Sequence, residues 1–223
     1  MDSYLAHPDL IRGHIDTLQS IVNNQLGKGY LTDKQIRECV EPGGSLFMGV
    51  AFPDKNADED PPVAVFYTSL PEGPSGRTRG LTEFPDGILE KPVGICIGGV
   101  FSQSRLASYL NIDTTDYPRD LLDAKHIGVI RTTAIREELQ NRGIGSELVT
   151  KTMDLHEQQG VDKHLAVAWR SPTGTNIHSI LVENGLKPEE VYTDYWLKES
   201  RGRGFTCPEC GSPCTCSGIV YID

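Results

Sequence analysis

The chain has 223 residues, 38% of them hydrophobic, with a formal net charge of −10 and a pI near 5.1. That length can bury a sizeable core, and the acidic balance argues against a nonspecific grip on nucleic acid, whose phosphates the overall field repels. No apolar run approaches the roughly 20 residues of a membrane span, and residues 1–16 lack the basic start and apolar block of a signal peptide, so the expected setting is the cytoplasm, with no membrane partner.

Leu10, Ile11, Ile15, Leu18, Ile21, Val22 and Leu26 fall mostly at helical spacing and predict a helix over 9–26. Thr32 and Gln35 form a capping-box pattern for a second helix over 32–40, which Pro42-Gly43-Gly44 ends. Residues 45–52 and 63–69 read as strands, separated by an acidic, turn-rich loop over 53–62. The Gly- and Pro-rich stretch 71–92 reads as a long surface loop or a substrate-facing insertion. Residues 93–101 form a strand with near-continuous apolar and Gly content, and 105–110 a short helix. A strand over 126–135 leads into a loop, then a helix over 147–159. A strand over 164–169, a helix over 175–184 stopped by Gly185, and a last strand over 191–197 complete the pattern. The β-α-β alternation over 125–170 favours a mixed α/β sheet.

The loop between that strand and helix reads Gln140, Asn141, Arg142, Gly143, Ile144, Gly145, Ser146. Two glycines one residue apart at a helix start leave backbone N–H groups free to face an anion. A P-loop is excluded, because no Lys follows Gly145. A dinucleotide fingerprint lacks its third glycine and an acidic residue about 20 positions on.

Gln140-x-x-Gly143-x-Gly145 after a strand ending Thr133-Ala134-Ile135 resembles the acyl-CoA motif of the GCN5-related N-acetyltransferase (GNAT) superfamily. Ile135-Arg136-Glu137-Glu138 follows the family's register, with Glu137 in place of the usual Pro. Lys91-Pro92-Val93-Gly94-Ile95 looks like its preceding strand, His164–Trp169 like its next, and Asn184-Gly185-Leu186 like the end of its following helix. The resemblance spans about residues 10–200 and is strongest over 125–150. It implies a mostly antiparallel mixed sheet flanked by helices, and acetyl-CoA as cosubstrate. The N–H groups of Arg142 to Ser146 would cradle the pyrophosphate, and Thr133, Ala134 and Ile135 would offer backbone groups to the pantetheine arm. Asn176 and Ser179 would touch the coenzyme by analogy alone.

The acceptor end is less marked. Strand alternation places Val129, Arg131 and Thr133 on the face of Ile135, with no carboxylate among them. Arg131 stays protonated, so it can hold an anionic group but cannot act as a base. Leu181 occupies the position where many family members carry a Tyr. His178, Tyr192 and Tyr195 are the candidates for proton handling, and a water relay is an alternative. The resemblance implies transfer of an acetyl group to a primary amine of a small molecule or protein, within a ternary complex. A non-catalytic acyl-CoA-binding module is the other reading. The oligomeric state is left open, a homodimer being one option.

Four of the six cysteines, Cys207, Cys210, Cys214 and Cys216, lie together near the end of the sequence. Cys-Pro-Glu-Cys-Gly is a zinc-knuckle pattern, and four thiolates suit tetrahedral Zn²⁺, with an iron–sulfur centre, redox disulfides and unligated thiols as the alternatives. Some 20 residues fold poorly on burial alone, so a structural metal would stabilise the segment. Residues 217–222 are expected to return toward the sheet as a strand. Residues 1–200 then read as the acyltransferase domain, with 53–91 an insertion, and 201–223 as a metal-binding tail.

Overall fold

Ile15, Leu18, Ile21 and Val22 form one apolar stripe, and in the computed structural model they are the buried face of α1 (Ile15–Leu26). The structure describes residues 3–6, 13–39, 46–52, 63–67, 79–81, 91–107, 109–112, 117–171, 174–175 and 177–223. The 53–62 loop, most of 71–92, and Asn176 lie outside the described residues. Helix α2 (Asp33–Glu38) starts with the expected box: the Gln35 N–H donates to the Thr32 hydroxyl, and the Gln35 side chain accepts from the Thr32 N–H. Such a cap contributes about 1 kcal/mol.

The described strands are β1 (Ser3–Ala6), β2 (Leu46–Phe52), β3 (Val63–Tyr67), β4 (Arg79–Leu81), β5 (Gly94–Phe101), β6 (Ile127–Ile135), β7 (Lys163–Arg170), β8 (Lys187–Tyr192) and β9 (Ser217–Ile222). They form one sheet in the order β4-β1-β3-β2-β5-β6-β7-β9-β8. Pairing is antiparallel except for β1 with β3 and β4, and β6 with β7. This is the mixed, mostly antiparallel sheet expected. The stretch 71–92 also contributes the strand β4.

Alternation on the central strands feeds two layers. Ile95, Ile97 and Ala134 pack with α1 and α2, while Cys96 and Ile135 pack with α5 (Ile144–Gln158). A third cluster joins Phe101, Val129, Leu165 and Val220 to α3 (Gln103–Leu106) and α4 (Arg119–Leu122). Each fully buried Leu or Ile contributes about 1.5–3 kcal/mol relative to exposure.

Two features of β6 and β7 shape the site. First, Ile97 pairs with Thr132 but Gly98 pairs with Ile130, so Arg131 is the extra residue of a β-bulge. A bulge re-aims the side chains around it. Val129 joins the third cluster and Arg131 stacks on Tyr109, away from Ile135 on the α5 layer. The expectation that Val129 and Arg131 share a face with Ile135 is therefore corrected. Second, β6 and β7 pair in parallel from Ile127–Lys163 only as far as Ile130–Ala166. Beyond that point the two strands no longer pair, and a gap opens between their C-terminal halves.

Strand β9 pairs with β7 on one side and β8 on the other, so residues 217–222 are a strand of the main sheet, as expected. Segment 201–223 thus shares the sheet with the rest of the chain. Of the strand expected over 191–197, only Val191 and Tyr192 are extended, as the end of β8. β8 ends at Tyr192, Asp194 turns the chain at φ 54°, and α7 (Leu197–Arg203) follows. β8 is an edge strand, exposed at five of its six positions, so it lacks the apolar alternation that marks a half-buried strand.

Close packing of α5 on β6 buries a titratable group. A Cβ on Gly128 would lie 2.6 Å from the His156 ring. His156 is fully buried and 5.4 Å from the His164 ring; burial first, then His164, pushes its pKa down to about 3. Between that value and the ordinary one near 6.5 the unfolded chain binds the extra proton and the folded chain does not. The stabilisation from keeping His156 neutral is complete above about pH 6.5 and falls by about 1.4 kcal/mol per unit as pH drops toward 3. Urea midpoints measured from pH 7 to pH 4 are expected to fall less steeply in His156→Leu than in the parent. Parallel slopes would contradict this.

Candidate active site

The donor loop begins where β6 ends. The Gln140 amide donates to the Ile135 carbonyl at 3.1 Å and to Gln25 Oε1 at 2.6 Å, which folds the loop back against the strand. Asn141 and Gly143 take left-handed φ of 61° and 79°. Gly143 is the N-cap of α5, and no side chain caps the helix. The first helical bond runs from the Glu147 N–H to the Gly143 carbonyl. Among the described residues, the N–H groups of Gly143, Ile144, Gly145 and Ser146 have no backbone acceptor. Four uncapped donors and the positive end of a 15-residue helix converge on one spot. That spot suits a phosphate. Thr133, Ala134, Ile135, Gln140, Asn141, Gly143 to Ser146, Ile177 and Ser179 line one cavity of about 470 Å³ around it.

The gap between β6 and β7 is a second, narrower cavity of about 100 Å³. It shares Leu26, Thr133 and Ile177 with the donor cavity. It also contains Tyr30, Ile130, Arg131, Val167, Trp196 and Phe205, all of which line a third cavity of about 450 Å³. The three spaces adjoin one another along the gap in the sheet.

The third cavity holds the charged groups. Glu199 on α7 is fixed by Asn111 Nδ2 and by Arg203 Nη2, the latter 3.2 Å from Oε1. Its Oε2 is buried and without a hydrogen-bond partner among the described residues. A buried carboxylate oxygen left open costs free energy unless a ligand completes it. The Arg131 guanidinium lies 4.8 Å from the Tyr109 ring centroid, a cation–π contact. Burial raises the Tyr30 phenol above its ordinary pKa, with Arg131 partly opposing, and burial raises Tyr195 likewise. Both therefore stay protonated at neutral pH. A Cβ on Gly218 would lie 2.7 Å from Tyr195, so only glycine lets β9 seat that ring.

The three residues expected to handle protons separate. Tyr195 lines the third cavity, and its hydroxyl faces the Asn111 N–H at 3.5 Å. His178 is exposed at the head of α6 (His178–Glu183), with Nδ1 2.6 Å from the Tyr221 hydroxyl. Tyr192 donates to Glu190 Oε2 at 2.6 Å on the edge strand. Neither His178 nor Tyr192 lines any of the three cavities, because one ring turns toward β9 and the other lies along β8. Arg142 is exposed beside the donor loop and Leu181 is fully buried. Sequence reasoning missed Tyr30, Asn111 and Glu199. The Glu199–Arg203 spacing of four, a helical signal, was the trace available for α7.

The four cysteines meet as expected. All four Sγ atoms lie within 4.8 Å of one another, with Cys216 Sγ 3.5 Å from Cys210 and 3.8 Å from Cys207. Zn–S bonds of about 2.3 Å place tetrahedral corners roughly 3.8 Å apart, so the set fits one Zn²⁺. Gly211 at φ 77° makes the knuckle turn, and Cys207 and Gly211 exchange backbone hydrogen bonds of 3.0 Å. Burial raises the Cys216 thiol to about 11, and hydrogen bonds to Thr215 and the other cysteines outweigh desolvation to bring Cys210 down to about 7. Cys207, Cys214 and Cys216 are buried and Cys210 is exposed.

Among solved structures, the chain is similar to NAA60 of Arabidopsis thaliana in complex with a bisubstrate analogue, at 11% identity and TM-score 0.56, covering 95% of this chain and 92% of that one. The same protein in complex with acetyl-CoA gives TM-score 0.55 at 11% identity, over 95% and 93%. Ard1 from Thermoplasma volcanium gives TM-score 0.50 at 12% identity, over 97% and 91%. No protein of curated function matches the chain significantly by sequence. No helix among the described residues is long and apolar enough to cross a membrane. The family model described as Acetyltransferase (GNAT) family matches residues 65–178, and the chain belongs to that family.

Proposed function

We propose that the chain is an acetyl-CoA-dependent N-acetyltransferase that moves the acetyl group to a primary amine of a small molecule or protein. The observation that carries this reading is the continuity of the donor cavity, the gap between β6 and β7, and a third cavity lined by Glu199, whose Oε2 is buried and has no hydrogen-bond partner among the described residues. The N–H groups of Gly143 to Ser146 hold the pyrophosphate. Thr133 to Ile135 extend past the last β7 pair, and the backbone groups there that neither β5 nor Gln140 engages bond the pantetheine amides as a strand would. The thioester then reaches the gap.

The acceptor enters from the third cavity. Glu199 Oε2 takes a proton from the ammonium, and the freed amine attacks the thioester carbonyl. Collapse of the tetrahedral adduct breaks the C–S bond. The departing thiolate takes a proton from the Tyr30 phenol, which regains one from the new amide nitrogen. No cysteine lines the three cavities among the described residues, so an acyl-cysteine intermediate has no nucleophile there and transfer is direct. Positioning supplies most of the acceleration and the base about 10²–10⁴-fold. The cluster of four cysteines holds Zn²⁺ structurally; four thiolates leave no open position for chemistry.

Release of the CoA thiol, followed with acetyl-CoA and a panel of small amines and free-amine peptides, tests the proposal. At least one class is expected to raise turnover well above acetyl-CoA hydrolysis. Tight acetyl-CoA binding with no amine active would leave a binding module and overturn the enzymatic reading.

A further inference from the structure

We infer that a Zn²⁺ held by Cys207, Cys210, Cys214 and Cys216 fixes the acceptor wall of the active site, so that metal occupancy controls the acceptor side and spares the donor side. Naming that wall the acceptor's rests on the function proposed above; the physical coupling does not. Phe205, Cys207, Cys214 and Cys216 form one buried cluster, with Tyr30, Trp169 and Trp196 packed against it. Tyr30, Trp196 and Phe205 line both the gap and the third cavity, and Trp169 lines the gap. The thiols are thus one side chain removed from the acceptor space.

Two further ties run from the knuckle. Ser200 is buried; its hydroxyl accepts the Cys214 N–H at 2.9 Å and donates to the Phe205 carbonyl at 3.1 Å. Ser200 follows Glu199 on α7, so the knuckle pins the helix that presents the open carboxylate. On the other side, the Thr206 N–H donates to the Lys28 carbonyl at 2.9 Å. A Cβ on Gly27 would lie 2.2 Å from the Thr206 carbonyl oxygen, so the end of α1 and the knuckle meet backbone to backbone, beside Tyr30.

What holds the knuckle is its metal. Apart from its cysteines and prolines, residues 204–216 contain one large apolar side chain, Phe205. A segment so poor in apolar area is ordered by metal binding and loosens without it. The donor cavity is lined by residues 133–146 and 177–183 with Gln25 and Leu26, and contains none of the residues packed on the thiols.

The chain has two tryptophans, Trp169 and Trp196, and both pack on the knuckle, so emission reports on it directly. The test uses the full chain before and after metal stripping by a strong chelator, with elemental analysis, tryptophan emission, amide hydrogen exchange, and calorimetry with acetyl-CoA. We expect about one zinc per chain by ligand count. Stripping should red-shift the emission and speed exchange over residues 28–31 and 196–207 at least tenfold. Acetyl-CoA Kd should change less than threefold, and added Zn²⁺ should reverse the changes. Ser200→Ala should retain zinc but speed exchange over 197–205. The inference is overturned if no metal binds, if emission and exchange ignore stripping, or if donor affinity collapses with them. No readout uses an acceptor, so an inactive amine panel would count against the proposed function alone.

Discussion

Gly145→Glu is expected to raise the acetyl-CoA Kd at least about 100-fold, a loss of about 2.7 kcal/mol, while the protein stays folded. Position 145 is the second residue of α5. A Cβ there meets Ile180, Ile135 and Thr133 at 3.5–3.9 Å, ordinary van der Waals contact, so the fold accommodates the substitution. A carboxylate in the first turn also suits the helix dipole, and replacing a helical glycine favours the helix by up to about 1 kcal/mol. The new side chain, however, enters the cavity lined by residues 133–135 and 177–183 and puts a negative charge among the N–H groups assigned to the pyrophosphate. Tm should hold or rise as affinity falls. Calorimetry and a thermal melt on the same sample decide it: affinity within threefold of the parent would remove the loop from the donor site.

Glu199→Gln is the second large effect. Glutamine has nearly the same shape and can still accept from Asn111 and Arg203, which hold Oε1 in the parent. It cannot take a proton. With an amine that supports turnover, kcat is expected to fall about 10²–10⁴-fold, with the acetyl-CoA Kd within twofold. A kcat within threefold of the parent would show that Glu199 only supports α7.

The contrast between these residues explains what could be read from the chain. The donor loop is local. A turn that points N–H groups at a ligand needs glycine near Gly143 and a helix directly after it, so residue type and spacing carry the information. The thiolate cluster is local too, because few side chains hold Zn²⁺. The acceptor cavity is not local. It gathers Tyr30, Asn111, Arg131 and Glu199 from four distant segments, and none of them stands in a motif. Strict alternation puts Arg131 on the wrong face because it misses a one-residue bulge. Reading 191–197 as a strand hides Glu199, where an exposed edge strand, a left-handed turn at Asp194 and a short helix replace it. His178 stands at the head of α6 and Tyr192 at the end of β8, and tertiary packing sends both away from the cavities.

A crystal structure with acetyl-CoA bound tests the division into donor and acceptor sides most directly. The pyrophosphate is expected on the N–H groups of Gly143 to Ser146, the pantetheine alongside Thr133 to Ile135, and the acetyl carbon in the gap between β6 and β7, opening toward Glu199 Oε2. Coenzyme bound away from the α5 N-terminus, or an acetyl group that stays on the α5 side and never enters the gap, would contradict it.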